Sequence, residues 1–124
     1  MPDAKKKIVV VEDDPLIRVL YEAILASQYE LEQTYDGDSG FAAIQRVLPA
    51  LAIIDISIPK MHGFELCQKL RADGIFTDVK ILFVSAKSYK ADIKTAKEIG
   101  ADDYIVKPFE PEDLRSKVRE LVGV

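Results

Sequence analysis

The stretch Leu51-Ala52-Ile53-Ile54-Asp55-Ile56-Ser57-Ile58-Pro59-Lys60-Met61-His62-Gly63 governs the reading of the whole chain. Its first four residues are an uninterrupted apolar run, the pattern of a strand buried on both faces. The run ends on the carboxylate of Asp55, after which Pro59 and Gly63 mark a loop. In an open parallel sheet, ligands bind in the crevice outside the carboxyl ends of the strands, so an aspartate there is presented to chemistry. Alone, Asp55 is ambiguous, because an acid at a strand end also serves as a helix cap or turn former. The other strand ends decide the matter.

Upstream, Ile8-Val9-Val10-Val11 is apolar and β-branched, as a central parallel strand should be, and runs into Glu12-Asp13-Asp14-Pro15. Asp14 before Pro15 reads as an N-cap and first helical position, which accounts for that acid. Glu12 and Asp13 have no such role, and like charges side by side call for a counter-cation. The helix after Pro15 carries Leu16, Ile17, Leu20, Ile24 and Leu25 at helical spacing, which predicts an inward stripe. Residues 30–35 form the most polar strand and belong at the sheet edge. Asp36-Gly37 marks a turn, and Asp38 or Ser39 offers a cap for a second helix through Phe41, Ile44, Val47 and Leu48. Pro49 closes that helix.

Downstream of Asp55, residues 64–72 predict a third helix with Leu66, Cys67 and Leu70 inward. Cys67 on that face reads as a small core residue rather than a reactive thiol. Residues 80–84 predict a fourth strand ending at Ser85-Ala86, and a fourth helix runs from Tyr89 or Ala91 to Ile99, stopping at Gly100. Residues 102–106 form a short fifth strand that ends at Lys107-Pro108-Phe109. The last helix, 110–122, has Leu114, Val118, Leu121 and Val122 as its stripe. Repeated βα units predict a flavodoxin-like α/β sandwich in three layers, its parallel five-stranded sheet ordered 2-1-3-4-5. The expectation is a single domain over residues 1–124.

Composition narrows the function classes. With 48% hydrophobic and 31% charged residues, the chain is globular rather than disordered. A formal charge of −4 gives no support for direct nucleic-acid binding by bulk charge. The one cysteine excludes an internal disulfide and fits a reducing compartment. Lys5-Lys6-Lys7 ahead of Ile8 superficially resembles a secretory leader, but the apolar run is too short and meets acids at once. No run reaches membrane-spanning length. The expectation is a cytoplasmic protein with no membrane partner.

Stacked together, the strand ends bring Glu12, Asp13, Asp55, Ser85 and Lys107 around one crevice. Clustered carboxylates suit magnesium, a hard cation that takes oxygen ligands and keeps places for waters and a phosphate. An ammonium and a hydroxyl hold the remaining phosphoryl oxygens, because such centres are stabilised mainly electrostatically. A carboxylate nucleophile attacking phosphorus yields an aspartyl phosphate. The residues themselves point to metal-dependent phosphoryl transfer onto Asp55.

Over residues 6–122 the chain resembles the receiver domain of two-component response regulators, in its single-domain, chemotaxis-regulator form. The matching motifs are Val10-Val11-Glu12-Asp13-Asp14, Asp36-Gly37, the Ile54 to Gly63 segment, Val84-Ser85-Ala86, and Gly100-Ala101-Asp102-Asp103-Tyr104-Ile105-Val106-Lys107-Pro108-Phe109. The resemblance implies that Asp55 accepts a phosphoryl group from a histidine kinase or phosphotransfer protein. It implies magnesium, with manganese able to substitute, held by Asp13, Asp55, the Ser57 backbone carbonyl and, through water, Glu12. Lys107, Ser85 and the Ala86 backbone amide would bind the phosphoryl group. Ser85 and Tyr104 would act as the switch pair, and the bond to Pro108 would be cis, as X-Pro bonds permit.

Some positions depart from the pattern. His62 stands where the family usually has an acid or asparagine, and it reads as a solvated loop residue. Ala50 replaces a common aspartate after the proline. Ser57 and Lys87 occupy variable positions that tune phosphoryl lifetime in the family. For output, the resemblance implies a partner or output domain at the surface of the fourth helix, fifth strand and fifth helix. Asp102 and Asp103 with Arg115 and Arg119 resemble charge pairs through which some receivers dimerise, which implies phosphorylation-enhanced dimerisation.

Rival readings remain. The chain is either a free-standing switch or a receiver from a larger DNA-binding regulator or hybrid kinase. A flavodoxin is disfavoured because Glu12-Asp13-Asp14 would repel a cofactor phosphate. An aspartate-nucleophile phosphatase would want an acid two residues after Asp55, where Ser57 stands. The expectation is a switch that is no enzyme in the ordinary sense and catalyses only its own phosphorylation and dephosphorylation.

Overall fold

The computed structural model describes residues 4–86 and 90–123. Strands β1 (Lys6–Val11), β2 (Tyr29–Thr34), β3 (Leu51–Ile54), β4 (Lys80–Ser85) and β5 (Asp103–Val106) form one sheet ordered β2-β1-β3-β4-β5. All neighbouring pairs are parallel, with Val11 level with both Thr34 and Ile54, and Ser85 level with Val106. Helices α1 (Pro15–Leu25), α2 (Gly37–Val47), α3 (Gly63–Arg71), α4 (Lys90–Glu98) and α5 (Pro111–Val122) make the crossovers. The expected flavodoxin-like order, with the polar strand at the edge, is the observed one. The Tyr89 and Lys87 expectations lie outside the described residues.

Period-two alternation along the strands sorts the core into two faces. Val10, Ile53, Val84 and Ile105 point to the side covered by α1 and α5. Val11, Ile54 and Phe83 point to the side covered by α2, α3 and α4. Each face is a closed apolar layer, which explains why the buried stretches 8–11, 51–54 and 81–84 carry no polar residue.

Local expectations need five corrections, the first at Leu48, which was expected on the second helix's stripe but caps α2 and is half exposed. On α1 the buried residues are Tyr21, Ile24 and Leu25, while Leu16 is 76% exposed and Leu20 42% exposed. The inward stripe is narrower than the count of aliphatic residues implied, and Tyr21 fills its centre. Asp36, not Asp38 or Ser39, caps α2, accepting the Ser39 N–H at 2.8 Å. His62 is exposed yet it is the N-cap of α3, its Nδ1 accepting the Phe64 N–H at 3.1 Å. A short 3-10 turn, Gly74–Phe76, was not anticipated; it buries Phe76, whose ring meets Phe41 edge-on at 5.8 Å.

Arg71 ties the carboxyl end of α3 to its neighbours. Its guanidinium donates to the carbonyls of Gly100 (2.9 Å), Phe76 (3.1 Å) and Val79 (2.8 Å) and to Asp102 Oδ2 (3.0 Å). Asp102 Oδ2 also accepts the Ile81 N–H at 2.8 Å, so one ion pair fixes the starts of both β4 and β5.

Candidate functional site at the carboxyl edge of the sheet

The ladder continues one step past three strand ends, and those steps carry the polar residues. The Glu12 N–H donates to Thr34 O (3.0 Å), the Asp55 N–H to Val11 O (3.0 Å) and the Lys107 N–H to Ser85 O (2.8 Å). Glu12, Asp55 and Lys107 each follow an α1/α5-facing residue by two positions, namely Val10, Ile53 and Ile105. Period-two geometry therefore sends all three toward one side of the crevice. Ser85 follows Phe83 by two and belongs to the other side.

The loop after Asp55 is held by backbone contacts. The Ser57 N–H donates to Asp55 Oδ1 (3.0 Å), the Gly63 N–H to Ile56 O (2.9 Å) and the Gly37 N–H to Pro59 O (3.1 Å). The approach is close enough to require glycine twice. A Cβ on Gly63 would lie 2.7 Å from Asp55 O, and one on Gly37 would lie 2.3 Å from Met61 Cβ. The Asp36-Gly37 turn is thus the shelf on which the loop rests, a role beyond simple chain reversal.

Lys107 bridges the acids. Its Nζ donates to Glu12 Oε1 at 2.7 Å and to Asp55 Oδ2 at 2.9 Å. Glu12 Oε2 accepts the Asp14 N–H at 3.2 Å. Glu12 and Asp55 are buried, while Asp13 is exposed. Burial pushes the Glu12 carboxyl up to about 7; the Lys107 hydrogen bond opposes this and the Asp55 charge adds to it. Burial works to lower the Lys107 ammonium, but its bonds to Glu12 and Asp55 prevail and hold it above its ordinary value. The Lys107–Pro108 peptide bond is cis.

Glu12, Asp13 and Asp55 each offer an oxygen, and these oxygens lie within 4.8 Å of one another. Three hard anionic donors at such spacing fit a magnesium ion and would not suit a soft, thiolate-seeking metal. Across the crevice Ser85 is buried and shares a side-chain hydrogen bond with half-buried Tyr104. Burial raises the Tyr104 phenol, and that bond pulls it back in part. Ala86 and Ser57 are exposed at the rim. Cys67 is remote and buried, its thiol pushed up to about 11 by burial, as a core residue should be.

The acids expected to pair across a dimer surface have partners within the chain. Asp102 meets Arg71, Asp103 meets Lys117 at 2.9 Å, and Arg115 meets Glu112 at 2.8 Å. Pairing through these groups in a dimer requires exchanging those partners.

Residues 8–119 match the response regulator receiver domain, and the chain belongs to that family of two-component signalling switches. Across 121 residues it is 38% identical to the transcriptional regulatory protein RprY of Bacteroides fragilis, covering 97% of this chain and 50% of that protein. The chain thus spans about half the length of the curated relatives it matches. The chemotaxis response regulator CheY4 of Vibrio cholerae superposes with a TM-score of 0.89 at 28% identity, over 95% of this chain and 99% of the other. The receiver domain of the sensor histidine kinase PA1611 from Pseudomonas aeruginosa was solved with a magnesium ion coordinated in its active-site cleft. It superposes with a TM-score of 0.87 at 25% identity, over 98% and 100% of the two chains.

One residue at this site was passed over in the sequence. Tyr21 is fully buried, its ring stacked on Phe109 with centroids 6.2 Å apart, and the Glu12 and Asp55 charges act on its phenol. A signal existed, since a tyrosine four positions after Ile17 belongs on the same helix face.

Proposed function

We propose that this domain is a histidine-to-aspartate phosphorelay switch whose phosphoacceptor is Asp55. The observation that carries the reading is the Asp55 carboxylate, which abuts the Lys107 ammonium at 2.9 Å and lies within 4.8 Å of donor oxygens on Glu12 and Asp13. An Asp55 oxygen attacks the phosphorus of a phosphohistidine. The new O–P bond forms as the P–N bond breaks, and the imidazole leaves with the electron pair. Magnesium, when bound, neutralises charge on the phosphoryl oxygens, and Glu12, Asp13, Asp55 and the Ser57 carbonyl would hold it. Lys107 supplies the positive charge on the protein side, with the Ser85 hydroxyl and the Ala86 amide as further donors. Bonding of Ser85 to the phosphoryl group would break its link to Tyr104, and so alter the surface formed by α4, β5 and α5. That surface is where an output domain, a downstream protein or a second copy would bind. Catalysis is confined to the domain's own phosphorylation and dephosphorylation.

A second reading differs only in output. Because RprY is a transcriptional regulatory protein about twice as long, the switch here is equally suited to control an attached DNA-binding module.

Intact mass after incubation with acetyl phosphate and magnesium tests the proposal. One phosphoryl adduct is expected, lost in Asp55→Asn and in chelator. An adduct that persists in Asp55→Asn overturns the assignment, as does no adduct in a protein shown to bind magnesium.

A further inference from the structure

Tyr21 stands apart from every other buried polar residue near the crevice. It is 0% exposed, and among the described residues its hydroxyl has no hydrogen-bond partner. Orphaned buried hydroxyls are uncommon, since each forfeits its hydration without return. The ring is fixed between the apolar α1/α5 layer and Phe109, two residues after Lys107. Glu12, Asp55 and Lys107 have the parity of that same layer, so the phenol shares their side of the sheet rather than that of Ser85 and Tyr104. The Glu12 and Asp55 charges both act on the phenol, adding to burial in raising it well above its ordinary value.

Glu12 has a problem of its own on phosphorylation. In this structure its Oε1 depends on the Lys107 ammonium at 2.7 Å. Lys107 has two acceptors here, and a phosphoryl group on Asp55 would bring a more highly charged third. The more Lys107 serves that group, the less it serves Glu12, whose buried carboxylate is then left with the Asp14 N–H, now on Oε2, and the water through which it would hold magnesium. Among the described residues the buried side-chain donors without a partner are Arg18 Nε and the Tyr21 hydroxyl, and it is the Tyr21 phenol on which the Glu12 charge acts.

We propose that Tyr21 is a positioning residue of the phosphoryl site, whose hydroxyl takes over Glu12, directly or through one buried water, when Lys107 turns to the phosphoryl group. The proposal rests on the phosphoacceptor reading above. It assigns the hydroxyl no work in the resting protein and a specific task in the phosphorylated one. A merely structural tyrosine would show the reverse.

The test compares Tyr21→Phe with wild type, using beryllofluoride, which stands in for the phosphoryl group on an aspartate. With no tryptophan in the chain, binding is followed by fluorine NMR and calorimetry rather than by fluorescence. Tyr21→Phe should melt no lower than wild type in chelator, because the lost hydroxyl was unpartnered. It should bind magnesium alone within twofold of wild type, and bind beryllofluoride with magnesium about tenfold more weakly, the effect of one hydrogen bond to a charged group. In a Glu12→Gln background the same substitution should lose most of that effect, because the hydroxyl acts through Glu12. Equal beryllofluoride affinity in Tyr21→Phe and wild type overturns the proposal while leaving the phosphoacceptor reading intact. A lowered melting temperature in chelator also overturns it, by showing that the hydroxyl is already engaged. Failure of wild type itself to bind beryllofluoride with magnesium overturns both.

Discussion

Replacing Lys107 with methionine keeps the stem and deletes the charge between two enclosed carboxylates, and its cost should depend on pH in a calculable way. In the metal-free chain the Glu12 carboxyl lies near 7, against an ordinary 4.5. An acid whose folded pKa is raised favours the folded state when protonated. Wild type therefore loses stability as pH rises from 4.5 toward 7, with a ceiling of about 3 kcal/mol. Above that the slope vanishes, because Glu12 is ionised in both states. Lys107 adds no slope here, since its folded pKa is raised above 10.5 and it stays charged throughout.

In Lys107→Met both the hydrogen bond and the charge that lower the Glu12 pKa are gone, so its decline continues past 7. The gap between variant and wild type should then widen as pH rises past 7, at no more than about 1.4 kcal/mol per pH unit. Loss of the Asp55 bond adds a constant part of about 1–3 kcal/mol. Urea unfolding in chelator at pH 6, 7 and 8.5, followed by circular dichroism, measures this directly. Magnesium at pH 8.5 should narrow the gap, because a divalent cation replaces the missing charge. A gap that is constant from pH 6 to 8.5, or that shrinks as pH rises, would refute the reasoning.

Three further substitutions probe the frame around the site. Leu48 caps α2 with φ 48° and is half exposed; Leu48→Gly should raise stability by about 0.5–1 kcal/mol, and a lower melting temperature by calorimetry would contradict the strain argument. Gly37→Ala drives a Cβ into Met61 and should cost about 1–3 kcal/mol, with weaker magnesium binding as the Asp55 loop shifts; unchanged values on both counts would sink the shelf interpretation. Arg71→Lys keeps the charge but cannot serve three carbonyls and a carboxylate at once, so it should lose about 2–3 kcal/mol in urea unfolding; full retention of stability would show the fork geometry to be dispensable.

Much of this was legible in the chain because the relevant signals are short-range and periodic. Apolar runs ending on Glu12, Asp55 and Lys107 reveal both the parallel sheet and the shared crevice, since parallel strands must end at the same edge. The inward stripe of α1 was harder to read. A helix against a sheet buries a narrow stripe, and hydrophobicity alone does not separate Tyr21, which packs inward, from Leu16 and Leu20, which face solvent. Capping was misread for the same local reason. Asp36, Asp38 and Ser39 are chemically equivalent caps, and only the backbone angle at Asp36 selects among them. His62 was hidden by residue type, because a neutral imidazole nitrogen is an unusual cap acceptor. The bonding of Arg71 to Asp102, across 31 residues, leaves no local trace at all.

The division of the site between two sheet faces constrains how a signal can leave it. The α1/α5 side holds Glu12, Asp55 and Lys107. Ser85 and Tyr104 belong to the side of α2, α3 and α4, where the rings of Phe64 and Phe83 meet at 5.4 Å and those of Phe83 and Tyr104 at 6.4 Å. Phe83 is wholly buried in the sheet, so it cannot follow a moving ring without disturbing a close-packed layer. A turn of Tyr104 is therefore resisted on its inner side by Phe83 and α3, and it has freedom only toward α4. The α4 edge of β5 is thus the direction in which motion meets least packing. Asp103, beside Tyr104 and paired with Lys117 on α5, couples that edge to the neighbouring helix. A surface that changes with phosphorylation should then be centred on α4 and β5, with α5 drawn in through that ion pair, while the α1 side keeps a constant shape in both states.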